Sequence, residues 1–149
     1  MTEDDLGTLG EFVGAPHVAR WWHEVATLEA VREKYTPILS GADPTVLLLA
    51  QLDNRPVGMA QWYLWSEQDA APYGLPAGTV GIDYLLGHVH DCDRGLGTEL
   101  VAALLRELPD LGVWVTPEQA NGPSCRELEK NGFELMAGQP CSEPDKPWA

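Results

Sequence analysis

Apolar residues along this chain follow two rhythms. In His17-Val18-Ala19-Arg20-Trp21-Trp22 and in Leu28-Glu29-Ala30-Val31-Arg32-Glu33-Lys34-Tyr35 they recur at helical spacing, which predicts two early helices, the second capped by Thr27. The period then shortens. Thr45 to Leu52 and Val57 to Trp65 read as strands joined by the turn Asp53-Asn54-Arg55-Pro56, an antiparallel hairpin. Residues 66–78 hold Glu67, Gln68 and Asp69 with two prolines, two glycines and no period, which suits a loop lying over a site. Thr79 to Leu86 returns to a strand pattern.

Helical spacing resumes with Leu96, Leu100, Val101, Leu104, Leu105 and Leu108, whose steps of 4, 1, 3, 1 and 3 draw one apolar stripe until Pro109. Val113-Trp114-Val115 predicts a short strand. Asn121 before Gly122-Pro123 has the form of an N-cap with proline in the first turn, and the helix it opens runs to about Lys130. Asn131-Gly132 supplies a left-handed close, and Phe133-Glu134-Leu135-Met136 starts another strand. Helices, hairpin, strand, glycine turn, helix, strand, helix and strand, in that order, imply an α/β fold with a mixed sheet and helices on its faces.

Composition narrows the function classes. At 149 residues the chain is expected to form one domain, 1–149, large enough to bury a core without staples. No apolar run approaches the roughly 20 residues that span a bilayer, and Met1-Thr2-Glu3-Asp4-Asp5 lacks the basic and apolar regions of a secretory signal, so a soluble, cytoplasmic protein is expected. Cys92, Cys125 and Cys141 show no CxxC spacing and read as reduced thiols. Nine basic against 23 acidic residues leave a net charge of −14. That balance repels nucleic acid and anionic membranes and favours a cationic substrate, unless it serves solubility alone.

Three groups of residues could carry chemistry. Asp93-Arg94-Gly95-Leu96-Gly97-Thr98 opens a helix, where unpaired N–H groups and the positive end of the helix dipole bind anions; an ordinary helix start is the plainer reading. Asp83 sits in Val80-Gly81-Ile82-Asp83-Tyr84-Leu85-Leu86, where alternation puts Gly81, Asp83 and Leu85 on one face. A carboxylate among apolar neighbours either faces a cleft or cationic ligand, or simply faces solvent. Gln61, Tyr63 and Trp65 share a face with Val57 and Met59 and either line a pocket for a hydroxyl-rich ligand or form aromatic core; Trp21 and Trp22 pose the same choice. His88-Val89-His90-Asp91-Cys92-Asp93 places imidazole and thiol side chains too close along one loop to converge on an ion without distant ligands, so no metal is expected.

Taken together, the segments resemble the GNAT superfamily of N-acetyltransferases, and within it the aminoglycoside 6'-N-acetyltransferases. The resemblance covers nearly the whole chain. It rests on Met1-Thr2-Glu3-Asp4-Asp5-Leu6, His17-Val18-Ala19-Arg20-Trp21-Trp22, Val57-Gly58-Met59-Ala60-Gln61-Trp62-Tyr63, Gly81-Ile82-Asp83, Gly95-Leu96-Gly97-Thr98 and Glu129-Lys130-Asn131-Gly132-Phe133. It implies a mostly antiparallel twisted sheet flanked by helices, and direct transfer of acetyl from acetyl-CoA to an amine, the 6'-amine of an aminoglycoside. Backbone N–H groups at Tyr84 and Leu85 would receive the thioester carbonyl. Arg94, Gly95, Leu96, Gly97, Thr98 and Asn121 would hold the coenzyme. Trp22, Gln61, Tyr63, Asp69 and Asp83 would hold the acceptor, with Asp83 the catalytic carboxylate that orients an ammonium and takes its proton. The implied partner is a small-molecule amine, with no nucleic acid, membrane or metal.

Some positions depart from the pattern. Leu128 stands where relatives usually carry a tyrosine that protonates the leaving thiolate, Thr116 where some have an aspartate, and Cys92 and Asp93 interrupt the phosphate turn. The chain also starts where the first family strand would have finished and stops at Lys146-Pro147-Trp148-Ala149, where a last strand would begin. Both strands are therefore expected to be missing, either because the chain is truncated or because edges pair between chains, with a monomer or a homodimer as the expected state. Two other functions fit these departures: acetylation of a different amine, such as a siderophore precursor or a peptide amine, and non-catalytic binding of acyl-CoA or antibiotic.

Overall fold

The protein is described by a computed structural model, which covers residues 1–118 and 120–136. The expectations for Cys141 and for a missing last strand after Lys146-Pro147-Trp148-Ala149 lie outside the described residues. Two early helices form as predicted, α2 (Pro16–Trp22) and α3 (Leu28–Leu39), with the Thr27 hydroxyl accepting the Ala30 N–H at 3.3 Å. Another precedes them. Helix α1 (Leu6–Gly14) carries Gly7, Gly10 and Gly14, which weaken local helix preference, yet Leu6, Leu9, Phe12 and Val13 bury one face. Gly14 also lets α1 approach the next connection, since a β-carbon there would lie 3.0 Å from the methyl of Ala26.

Strands β1 (Val46–Leu52) and β2 (Arg55–Leu64) pair antiparallel around Asp53 and Asn54, both left-handed at φ 50° and 62°. That is the two-residue turn whose twist matches a hairpin. Strand β3 (Val80–Leu86) pairs antiparallel with β2, giving the order β1-β2-β3. Residues 113–115 form less than the expected strand: Val113 and Val115 are isolated bridge positions, Val113 pairing in parallel with Val80. Phe133–Met136 likewise shows one bridge position, Leu135, rather than a strand. No strand precedes Val46 among the described residues.

The expected loop at 66–78 contains a short helix α4 (Glu67–Ala70), capped by Ser66, and a 3-10 turn at Ala71–Tyr73. Helices α5 (Leu96–Glu107) and α6 (Gly122–Lys130) form where predicted, α6 with Asn121 as its cap and Pro123 in its first turn. No described helix is long and apolar enough to cross a membrane.

The sheet separates two cores. Leu47, Met59 and Leu85 pack with Leu9, Phe12, Val13, Val31 and Tyr35 beneath α1 and α3. On the other face Ala60, Val80 and Ile82 pack with Val101, Leu104 and Leu128 of α5 and α6. Each fully buried side chain of leucine size contributes about 1.5–3 kcal/mol, so the sheet is held from both sides. Val57 does not join Met59 as alternation predicted. A β-bulge, with Ala50 opposite Gly58 but Gln51 opposite Pro56, inserts Val57 as an extra residue and turns it to the groove lined by Leu48, Ala60 and Leu100. That apolar groove, about 620 Å³, does not include Asp83.

Candidate functional site

The period of two along β3 places different chemistry on its two faces. Asp83 lies directly opposite Gln61 in the ladder, and Gln61 Nε2 donates to Asp83 Oδ2 at 2.8 Å. Tyr63 lies opposite Gly81, its ring covering the space a β-carbon would need, so glycine there makes room for an aromatic wall. The wall continues from Tyr63 to Trp65 at 6.5 Å, on to Tyr73 at 5.6 Å and then Trp114 at 5.8 Å. Trp65 Nε1 donates to the Trp114 carbonyl at 3.3 Å, tying the hairpin to the 112–115 segment. Tyr73 and Trp114 were not singled out in the sequence, because their convergence depends on how the 66–78 segment folds back.

This pocket has unsatisfied polar atoms. Gln61 Oε1 and Trp22 Nε1 are shielded from solvent and lack partners among the described residues, an arrangement that a bound polar ligand would complete. Burial pushes the Asp83 carboxyl well above the ordinary carboxylate range; the Gln61 hydrogen bond and the Lys34 ammonium oppose the shift, and the Glu24 carboxylate adds to it. A carboxylate with raised proton affinity is a stronger base than an ordinary one, which suits it to take a proton. Tyr63 is also raised, chiefly by burial, then by the charges of Asp83 and Asp69. Asp69 itself is exposed at the rim, receiving the Ser66 hydroxyl at 2.6 Å.

Glu24 and Tyr35 join this cluster although no sequence signal marked them. The fully buried Tyr35 hydroxyl donates to Glu24 Oε2 at 2.9 Å, and Lys34 pairs with Glu24 Oε1. His23, left-handed at φ 51°, turns the chain after α2 so that Glu24 follows Trp22 into the pocket, and its ring meets Glu118 at 2.7 Å.

The outer edge of β3 serves a second purpose. Val80 donates its N–H to Gly112 and accepts from Trp114, both at 2.8 Å, so the even-numbered residues of β3 point their backbone groups outward. Beyond the Val80–Val113 bridge no further described pairing covers that edge, leaving Ile82 and Tyr84 to present N–H groups there. Leu85, expected to do so with Tyr84, aims its N–H at β2 instead, because alternation reverses its direction. The Tyr84 side chain reaches α6, its hydroxyl 2.9 Å from Ser124 Oγ.

This edge leads to the glycine turn. Gly95, at φ +83°, is the left-handed N-cap of α5, and the helix's first internal bond runs from Glu99 N to its carbonyl. The N–H groups of Leu96, Gly97 and Thr98 therefore lie before the internal ladder, with Arg94 exposed beside them. Space at Gly95 is open, which fits a diphosphate approaching the backbone. Gly97 is covered by the Glu127 carboxylate, a negative group that no local sequence signal marks. Burial raises the Glu127 carboxyl, with Tyr84, Arg126 and Lys130 opposing and Asp93 reinforcing. Asn121 spends its carbonyl oxygen on the Ser124 N–H at 3.3 Å, which leaves its amide nitrogen for a ligand. Leu128 is fully buried in the second core.

The remaining candidates are occupied structurally. Asp91, wholly buried, receives both guanidinium nitrogens of Arg55 at 2.8 Å, and that cation holds its carboxyl below the usual range. His88 stacks on His90 and meets Phe12 edge-on, and no group of three or more potential metal ligands converges among the described residues. Cys92 and Cys125 are free thiols raised chiefly by burial, the opposite of activation.

Comparison with known proteins bears on this arrangement. The profile of the family described as Acetyltransferase (GNAT) domain matches residues 1–138. The chain is 33% identical to the aminoglycoside N(6')-acetyltransferase type 1 of Klebsiella pneumoniae, over 99% of this chain and 77% of that protein. Among solved structures it resembles aminoglycoside acetyltransferase AAC(6')-Ib in complex with coenzyme A, with TM-score 0.79 and 31% identity over 99% of this chain and 90% of that one. The complex of the same enzyme with coenzyme A and kanamycin gives TM-score 0.78 at 30% identity, with the same coverage.

Proposed function

The chain belongs to the GNAT acetyltransferase family, and from that premise we propose that it transfers acetyl from acetyl-CoA to an amine of an aminoglycoside, at the 6' position. The observation that carries this reading is the union, on one strand, of a buried base and a backbone edge without further described pairing beyond Val80, which runs into an anion-binding turn. Likeness to proteins named for aminoglycoside 6'-acetylation, and the net charge of −14, support the choice of acceptor.

The residues divide the work. Asp83, oriented by Gln61, pairs with the acceptor ammonium and takes its proton, so that the freed nitrogen lone pair can attack. Gln61 Oε1, Trp22 Nε1 and Tyr63 position the sugar's polar groups, and Asp69 attracts a further ammonium at the rim. The Tyr84 N–H stabilises the negative charge that develops on the carbonyl oxygen. Leu96, Gly97 and Thr98, with Arg94 and the Asn121 amide, hold the diphosphate and pantetheine arm. Bound acetyl-CoA supplies the activated acetyl group and a thiolate leaving group. Leu128 offers no proton to that thiolate, so solvent must provide it, and modest turnover is expected.

Thiol release with acetyl-CoA and a panel including kanamycin and ribostamycin tests the proposal. Turnover lost on Asp83→Asn supports it; absence of turnover with every aminoglycoside overturns it. The buried Leu128 favours a second reading, binding without turnover, which calorimetry on the same panel would reveal.

A further inference from the structure

We propose, building on that acceptor reading, that Glu24 forms a second ammonium subsite of the pocket, held in the free protein by Lys34 and taken over by another amine of a polyamine acceptor. The anchor and its present occupant differ in rigidity. Glu24 is only 17% exposed in its side chain, and its Oε2 is fixed by Tyr35, which is locked in the first core. Lys34 is 48% exposed, carries its charge on a flexible stem and lies 5.3 Å from the Tyr35 ring centroid. An ion pair with one such exposed partner is readily exchanged, because the lysine loses little by turning to water.

The polar groups here are matched to cations. Glu24, Asp83 and the unpartnered Gln61 Oε1 are acceptors, and Lys34 is the cation that acts on both carboxylates. With Lys34 held by Glu24, Asp83 has no cation of its own within hydrogen-bond distance among the described residues and is left for the reacting amine. An acceptor carrying two ammonium groups would neutralise both carboxylates and release Lys34 to solvent. Lys34 is then a competitor that selects polyamines over monoamines.

The test measures KM, kcat and calorimetric Kd for kanamycin with wild type, Glu24→Gln, Lys34→Met and the double variant, at saturating acetyl-CoA. Glu24→Gln is expected to raise KM and Kd about tenfold with kcat little changed, since the reacting amine still meets Asp83. Lys34→Met is expected to lower both several-fold, and the double variant to follow Glu24→Gln. Glu24→Asp should recover part of the affinity. A rise in KM for Lys34→Met, or an unchanged KM for Glu24→Gln, overturns the subsite. Should Glu24→Gln fail to fold, Lys34→Met alone decides. Wild-type turnover with unmoved variants would sink the subsite and leave acetyl transfer standing; a wild type that neither binds nor acetylates kanamycin overturns both.

Discussion

The carboxylate of Glu127 rests on the backbone of Gly97, in the first turn of the helix whose N–H groups face the proposed diphosphate. An anion at that place opposes anion binding unless it is protonated. Because burial raises the Glu127 carboxyl, coenzyme A affinity should be highest below its pKa and fall as pH rises through it. Glu127→Gln is expected to tighten coenzyme A binding about three- to tenfold near neutral pH and to flatten this dependence. Calorimetry across pH would settle it, and an unchanged slope in the variant would count against the idea.

Asp83 predicts a second pH effect. Its raised carboxyl means that the folded protein binds a proton more tightly than the unfolded chain, so its contribution to stability is greatest at low pH and is lost as pH rises through the folded pKa. Asp83→Asn should therefore melt no lower than wild type at pH 7. Its kcat/KM should nevertheless fall about 10²- to 10⁴-fold, and the acidic limb of the wild-type pH profile should vanish.

Two glycines should separate the two substrates kinetically. Gly81→Ala drives a methyl into the Tyr63 ring and to within 2.9 Å of Trp65 Nε1. It should cost about 1–3 kcal/mol of stability and raise KM for the amine more than for acetyl-CoA. At Gly95 there is open space but φ is +83°. Alanine at that position should cost about 1–2 kcal/mol through the backbone alone and raise KM for acetyl-CoA.

A phenol cannot simply be restored at position 128. Leu128 is 0% exposed among Val101, Leu104 and Phe133, so Leu128→Tyr should lower stability by about 1–3 kcal/mol by overpacking without raising kcat. Thermal unfolding and steady-state rates on the same preparation would show this; a stable variant with faster turnover would refute it.

How far the sequence revealed these features depended on the range of the interactions. The hairpin, α5 and α6 were legible because their period, turn residues and caps are local, as with Asn121 and Pro123. Helix α1 was hidden because its three glycines weaken the local signal while tertiary burial of Phe12 and Val13 stabilises it. Asp83, Gln61 and Tyr63 were found from alternation within strands. Glu24, Tyr35 and Glu127 act across chain separations that no local period encodes, and Val57 and Leu85 were misoriented where a bulge or the backbone's own alternation set direction.

The alternating character of β3 also bears on how this chain can vary. Asp83 and Tyr84 are neighbours assigned to opposite faces, so inserting or deleting one residue in β3 between Gly81 and Asp83 would drive the base into the α5–α6 core and put the tyrosine where the acceptor belongs. Substitutions can be absorbed one side chain at a time, but a single-residue length change disables donor and acceptor sites together. In designed libraries or natural variants, length polymorphism should stop at this segment and be tolerated in the 66–78 connection instead.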